Sequence, residues 1–264
     1  MQVAVLITCY NRVQTTLKSL DHLFACALPS GVCLDVYLVD DASPDRTGIL
    51  VKQRYPQICV IQGTGNLFWC GGMRLAWDVA AKERVYDAFL WLNDDTFLYP
   101  DALQCLDQIA DTDRIIVGAV CDPDTHSATY GFFGNPTRSP DGTVSPIRSG
   151  ESINGNIVYI PRAVWLKVGG LRRCFTHAMG DTDYGIRARK AAVPIMLTPK
   201  YIGECKANCM PKLRDKEMTV AQRWKLVHSP KGCPPWQYIR VALGTHPFTW
   251  PLYVAKLYWN ILFP

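Results

Sequence analysis

Three groups of paired carboxylates could do chemistry: Asp40-Asp41, Asp94-Asp95 and Asp181-x-Asp183. Carboxylates held close together repel, and they keep their charge only beside a cation or several hydrogen-bond donors. Mg2+ or Mn2+ suits such a place, because these hard ions take a few protein oxygens and fill their remaining positions with phosphate oxygens and water. A single Asp-Asp pair is usually a helix cap or a turn; three groups together suggest a metal and acid-base centre. Between the first two lies Gly63-Thr-Gly-Asn-Leu-Phe-Trp-Cys-Gly-Gly-Met-Arg74, whose glycines would let backbone amides approach a phosphate ahead of a helix starting near Gly72. His177 is close in sequence to Asp181, and His228 opens His-Ser-Pro-Lys-Gly232, a turn that could close over a diphosphate.

The elements that must position these groups read as βαβ units. Runs of strand length, Val3–Thr8, Leu34–Asp40, Ile58–Gln62, Phe89–Asn93 and Ile115–Val120, alternate with helical spacing near Thr15–Ala25, Asp45–Arg54, Gly72–Lys82 and Pro100–Ala110. That alternation predicts an α/β fold with a mostly parallel sheet, whose carboxyl edge would carry the polar clusters and bind the ligand. Residues 122–150, rich in Pro, Gly, Ser, Thr and Asp, predict irregular structure. A strand at Asn156–Ile160 and helices at Pro161–Val168 and Asp181–Ala192 follow. The segment after Tyr201 reads as helices separated by prolines.

The chain has 264 residues, 48% of them apolar and 19% charged, which excludes disordered, collagen-like and coiled-coil proteins. Eleven cysteines at irregular spacing, with no C-x-x-C, predict buried thiols; the one close pair, Cys205 and Cys209, has no second ligand pair for zinc. The first loop, Cys9-Tyr-Asn-Arg12, has no glycine and excludes the dinucleotide fingerprint. No phosphate loop or nucleic-acid module is present, so nucleic acid is not expected as a partner. The apolar run at the N-terminus is short and lacks a basic region before it, which predicts a cytoplasmic protein without a secretory signal. The net charge of +5 is uneven: residues 200–264 hold ten Lys and Arg against three Asp and Glu, with four tryptophans among them. A basic, aromatic tail suits peripheral contact with an anionic membrane, here the inner face of the plasma membrane, or packing on the globular body.

Five motifs in order resemble the family 2 glycosyltransferases, which have the GT-A fold: Val3-Ala-Val-Leu-Ile-Thr-Cys-Tyr-Asn-Arg12, Val39-Asp-Asp-Ala-Ser43, Leu92-Asn-Asp-Asp-Thr96, Gly169-Gly170 and Gly180-Asp-Thr-Asp-Tyr-Gly-Ile-Arg187. The strings Asn66 to Arg74 and Met179 to Arg189 further resemble a bacterial cell-surface polysaccharide branch with rhamnosyltransferase-like members. The resemblance covers about residues 3–200. It implies a GT-A type Rossmann-like sheet flanked by helices, with a nucleotide-binding half near 1–120, an acceptor half near 121–200 and a basic, aromatic helical extension over 201–264.

The resemblance implies a metal-dependent, inverting transfer from a UDP- or dTDP-sugar to a saccharide or polyprenyl-linked saccharide. Thr8, Tyr10, Asn11, Asp41, Asn66, Arg74 and Asp94 fall at donor-binding positions, with Asp41 accepting from a pyrimidine N3. Asp95 falls at the metal ligand, with Asn93 in place of the family's first Asp, and Asp181 falls at the catalytic base. Trp69, Asn154, Asp183 and His228 are candidates for the acceptor side or a closing loop. A non-catalytic sugar-nucleotide or polysaccharide binding protein and a sugar-phosphate nucleotidyltransferase are the rival readings. All of this requires Asp95 and Asp181, far apart in sequence, to meet at one place.

Overall fold

A computed structural model describes residues 1–134, 137–207, 217–232 and 234–263 of the chain. The elements run β1 (Gln2–Cys9), α1 (Val13–Ala25), β2 (Cys33–Asp40), α2 (Thr47–Arg54), β3 (Cys59–Gln62), α3 (Phe68–Glu83), β4 (Ala88–Leu92), β5 (Phe97–Leu98), α4 (Ala102–Ile109) and β6 (Ile115–Cys121). The short strands β7 (Ala128–Tyr130), β8 (Phe132–Phe133), β9 (Ser145–Pro146) and β10 (Ser152–Ile153) follow. Then come β11 (Ile157–Pro161), α5 (Arg162–Val168), α6 (Gly180–Lys190), β12 (Ile195–Glu204), α7 (Val220–His228), α8 (Pro235–Thr245) and α9 (Trp250–Leu262).

The main sheet has the order β3-β2-β1-β4-β11-β6-β12-β5, with β7 paired on β6 and β9 on β12. Strands β1 to β4 are parallel, β11 runs antiparallel between β4 and β6, and β12 is parallel to β6. The carboxyl ends of β1, β2, β3, β4, β6 and β12 therefore share one edge with the amino end of β11. This is the expected mixed, mostly parallel sheet.

Both faces of the sheet are covered, so the central strands are apolar throughout. Side chains alternate along β1: Ala4 and Leu6 enter the layer of Met73, Trp77, Trp91 and Tyr184, while Val3, Val5 and Ile7 enter that of Leu20, Leu23, Leu90 and Leu106. Each large apolar side chain buried in these layers contributes roughly 1.5–3 kcal/mol. A third, smaller cluster of Val227, Leu257 and Ile261 ties α7 to α9. There the buried Arg223 donates from Nε to the Ile261 carbonyl at 2.8 Å.

Two expectations need correction. Strand β12 was not foreseen, because Pro199 interrupts its pattern; the extension therefore begins after Glu204, not at residue 201. Proline cannot donate to the ladder, and the register shifts between Leu197 and Tyr201. Thr198 repairs the gap: its hydroxyl accepts from the Ala119 amide at 2.9 Å and donates to the Lys200 carbonyl at 2.9 Å. Helix α3 starts at Phe68 and not at Gly72, so Gly71 and Gly72 lie within it and do not form a loop. Their role is close packing. A Cβ on Gly72 would lie 2.1 Å from Thr8 Oγ1 and 2.8 Å from Thr8 Cβ, so glycine lets α3 touch β1 at the edge.

Gly72→Ala should cost about 1–3 kcal/mol of stability through overpacking, measured by urea unfolding. Thr8→Ala in the same chain should recover part of it. An equal loss in both backgrounds would show that Thr8 is not the obstacle.

Candidate active site

The loop after β2 and the loop after β3 are joined by one carboxylate. Asp41 is buried, and it accepts from the Gly65 amide at 2.7 Å, the Leu67 amide at 2.9 Å and the Phe68 amide at 3.0 Å. These bonds satisfy donors at the start of α3 and hold Phe68 at φ 53°, a left-handed conformation that a bulky residue rarely adopts. Neighbouring Asp40 does the same for α2, accepting from the Ser43 and Gly48 amides at 3.0 and 2.9 Å. Asp41 thus fixes the shape of the glycine-containing loop, with three of about four acceptor positions of a carboxylate filled.

The turn after β4 carries the second acidic pair. Asp94 is buried: Thr16 Oγ1 donates to it at 3.1 Å, and Arg12 Nη1 lies 3.5 Å from its other oxygen. Asp95 is more open and receives the same Arg12 Nη1 at 2.9 Å. Burial pushes the Asp94 carboxyl up to about 7, against the lowering influence of Arg12, and Asp95 adds to the rise. Arg12 has a raised pKa, chiefly through Asp94, and stays protonated.

Trp69 connects this turn to the third group. Its Nε1 donates to Asn93 Oδ1 at 2.7 Å, and its ring lies so close to Gly155 that a Cβ there would stand 2.3 Å from Trp69 Cζ2. The Gly155 amide donates to Asp181 Oδ2 at 3.0 Å, and the Thr182 amide to Asp181 Oδ1 at 2.7 Å. The Asn93 amide also bonds the Asn156 carbonyl at 3.0 Å, and Asn156 Nδ2 donates to Thr96 Oγ1 at 2.9 Å. The 93–96 turn, the amino end of β11 and the start of α6 are therefore one network, and Asp181 stands at the same sheet edge as Asp94 and Asp95. Burial raises the Asp181 pKa, with the Thr182 and Gly155 amides working against the rise. A carboxylate so placed is a stronger base than one in water.

Other expected residues are distributed unevenly. Tyr10 and Asn11 are exposed beside the acidic turn, Asn11 at φ 53° with its amide on Ser43 Oγ at 2.9 Å, and Asn66 is exposed on the loop held by Asp41. Thr8 is buried against Gly72. Arg74 reaches back to the Arg172 and Phe175 carbonyls at 3.2 and 3.4 Å, which anchors the loop leading to α6. Asn154 neighbours Gly155, and its buried Oδ1 has no hydrogen-bond partner among the described residues. Asp183 forms ion pairs with Arg172 at 3.0 Å and Arg187 at 2.8 Å, a structural use that its i,i+4 spacing to Arg187 foreshadowed. His228 ends α7, stacked on Trp224 with its Nδ1 2.8 Å from the Trp224 carbonyl, and so belongs to the extension's own packing. Sequence reading passed over Arg12 and Thr16, although the spacing from Arg12 to Thr16 puts both on one turn of α1.

His177 accepts at Nδ1 from the Trp69 amide at 3.5 Å. Burial lowers its pKa to about 4, assisted by Lys231 and Arg12, so the imidazole is neutral at pH 7. The next contact outward reaches the extension: Gln237 of α8 donates to Thr176 Oγ1 at 3.1 Å. Three thiols border the site. Cys9 ends β1, Cys70 lies against Gly180, and Cys205 neighbours Asp95; burial pushes all three up, Cys70 and Cys205 to about 12. Cys205 is a free thiol and its expected neighbour Cys209 lies outside the described residues.

The donor set suits a hard cation. Asp94 and Asp95 offer carboxylate oxygens, and a buried carboxyl raised to about 7 gains from any positive charge beside it. The described residues contain no cluster of three or more His, Cys, Asp or Glu. An ion here would take few protein ligands and rely on ligand oxygens, as Mg2+ does.

The sequence model of glycosyl transferase family 2 matches residues 4–131. Among solved structures, the chain is similar to residues 1–349 of S. aureus TarS, with TM-score 0.61 and 15% identity over 99% of this chain and 71% of that one. The same TarS segment in complex with UDP-GlcNAc gives TM-score 0.63 and 12% identity over 99% and 72%. A mannosyltransferase from Pyrobaculum calidifontis, PcManGT in complex with GDP-Man and Mn2+, gives TM-score 0.55 and 16% identity over 98% and 72%. At such identities the likeness establishes the fold, which is that of the GT-A structures. No curated protein matches the chain.

The Asp94 carboxyl rises on folding from 3.8 to about 7, so the folded state binds that proton more tightly. Its stabilising contribution is full below about pH 4 and is lost as pH climbs to about 7. Asp94→Asn, neutral throughout, should lose less stability than the parent between pH 4.5 and 8, by a few kcal/mol in urea unfolding. Parallel pH profiles would refute the shift.

Proposed function

Residues 4–131 belong to glycosyl transferase family 2 and the fold around them is GT-A, and on that premise we propose that the protein is an inverting glycosyltransferase. Its donor is a UDP- or dTDP-sugar and its acceptor a hydroxyl of a saccharide or polyprenyl-linked saccharide, in synthesis of surface polysaccharide. The observation that carries this reading is the meeting of Asp181 with the Asn93–Asp95 turn at one sheet edge, through Trp69 and Gly155. TarS and PcManGT, whose fold this chain resembles, were solved in complex with UDP-GlcNAc and with GDP-Man and Mn2+.

Each residue then has a physical task. Asp41 shapes the loop that carries the exposed Asn66, and its fourth acceptor position suits a pyrimidine N3–H. Exposed Tyr10 offers a ring on which a base can stack. Asp95, backed by Asp94, would hold Mg2+ or Mn2+; such an ion, when bound, stabilises the charge of a departing nucleoside diphosphate. Asp181 takes the proton from the acceptor hydroxyl as that oxygen attacks the anomeric carbon from the face opposite the leaving group, so configuration inverts. The Gly155 and Thr182 amides fix its orientation, and the ring of Trp69 closes the wall between base and donor. Asn154 Oδ1, unpartnered and next to Gly155, is placed to accept from an acceptor hydroxyl.

The basic extension supports a peripheral membrane partner. Leu257 and Ile261 bury one side of α9, while Leu252, Lys256 and Trp259 lie exposed at helical spacing on another, with Phe263 exposed just beyond its end and Phe248 almost wholly exposed. Apolar and cationic side chains on one helical face suit an anionic interface. No helix of the described residues is long and apolar enough to cross a membrane.

Asp181→Asn should reduce transfer by at least about 10²-fold, the smaller end of general-base effects, while binding of the nucleoside diphosphate stays close to the parent. Normal turnover would reject Asp181 as the base, and absence of binding across UDP-, dTDP- and GDP-sugars would reject the donor class. Leu252→Ser with Trp259→Ser should lower co-sedimentation with anionic vesicles, leaving donor affinity unchanged. Undiminished sedimentation would leave α9 a packing element only.

A further inference from the structure

Among the described residues, Arg12 is the one cation paired with the acidic turn. It leaves β1 through Asn11, at φ 53°, and stands at the N-cap of α1, so its backbone is fixed by the Thr16 amide on its carbonyl at 3.0 Å. From there a single nitrogen, Nη1, faces both carboxylates, 2.9 Å from Asp95 Oδ2 and 3.5 Å from Asp94 Oδ1. The side chain is 43% exposed, and its other nitrogens have no ion-pair partner among the described residues. The guanidinium therefore occupies Asp95 Oδ2, and a divalent ion that took the same oxygen would compete with it for that position. Two cations cannot share that position: their repulsion in a partly buried site is several-fold stronger than in water.

We infer that Arg12 is a resident counter-ion that competes with the divalent metal for Asp95 and turns to the donor's diphosphate when donor and metal bind. This rests on the donor reading for its second half only. The flexible stem of Arg12 and its free nitrogens allow the turn, and a guanidinium pairs with phosphate oxygens as well as with carboxylates. Metal and donor then favour one another. The diphosphate draws Arg12 from Asp95 and admits the metal, and the metal releases Arg12 toward the diphosphate; such coupling is reciprocal. The bare protein keeps the acidic turn partly compensated without sequestering metal, which lowers the charge penalty of assembling two carboxylates.

The test measures Mn2+ binding by electron paramagnetic resonance in the absence of nucleotide, at pH 8, for the parent, Arg12→Met and Arg12→Lys. Arg12→Met should bind Mn2+ about tenfold more tightly than the parent, and Arg12→Lys, which keeps the charge, should stay near it. Equal affinity of the parent and a folded Arg12→Met protein, checked by circular dichroism, overturns the competition. A second arm measures UDP affinity calorimetrically in EDTA, where Arg12→Met should bind about tenfold more weakly. Unchanged UDP affinity overturns the diphosphate half. If the parent binds no nucleoside diphosphate with any base, the donor reading fails, while the Mn2+ comparison still decides the competition.

Discussion

A parallel sheet gathers the ends of several strands along one edge, and here five of the residues gathered are aspartates. Left to themselves, Asp40, Asp41, Asp94, Asp95 and Asp181 would force the edge apart or lose their charge. The surrounding structure is arranged to prevent both. Asp40 and Asp41 are satisfied by backbone amides, at the cost of a left-handed Phe68. Asp94 has a hydroxyl and a guanidinium, and Asp181 has two amides and a raised pKa. The gradient from satisfied to unsatisfied carboxylates orders their uses: the first two build loops, and the last three keep spare capacity for a ligand, a metal or a proton.

Position within that gradient also explains the partners. Trp69 belongs to α3, whose beginning is fixed by Asp41, yet its indole bonds Asn93 and its ring covers Gly155. A loop-building carboxylate thus sets the distance between the acidic turn and the base, through one aromatic side chain. Glycine is needed at Gly72 and Gly155 for the same reason: α3 and Trp69 must come closer to β1 and β11 than any Cβ permits.

Much of this was legible in the chain itself. The apolar runs of β1, β2, β4 and β6 were read with boundaries within a residue or two, because a strand buried on both faces leaves an uninterrupted signal. Two of the acidic groups were legible because each stands where a strand ends, and the third because it opens a helix. Strand β12 was not, since Pro199 breaks the run and its repair by Thr198 depends on a partner strand distant in sequence. The start of α3 was misplaced for a related reason: Gly71 and Gly72 weaken helical propensity, and the helix there is held by Asp41 and by contact with Thr8. Arg12, Thr16 and the ties of Arg74 are side-chain meetings across about 80 or more residues, and local pattern does not encode them. Asp183 differs in that one of its two partners, Arg187, is one helical turn away.

The thiols beside the edge complete the electrostatic picture. Cys9, Cys70 and Cys205 stay protonated because burial, reinforced by the neighbouring aspartates, makes a thiolate costly there. Protonated sulfur is a poor nucleophile and a poor ligand. Zinc and copper, which favour thiolate, meet thiols here that burial keeps protonated. Burial beside the acidic edge thus discourages alkylation and oxidation of its cysteines and makes thiolate, a donor that soft metals favour, costly to supply.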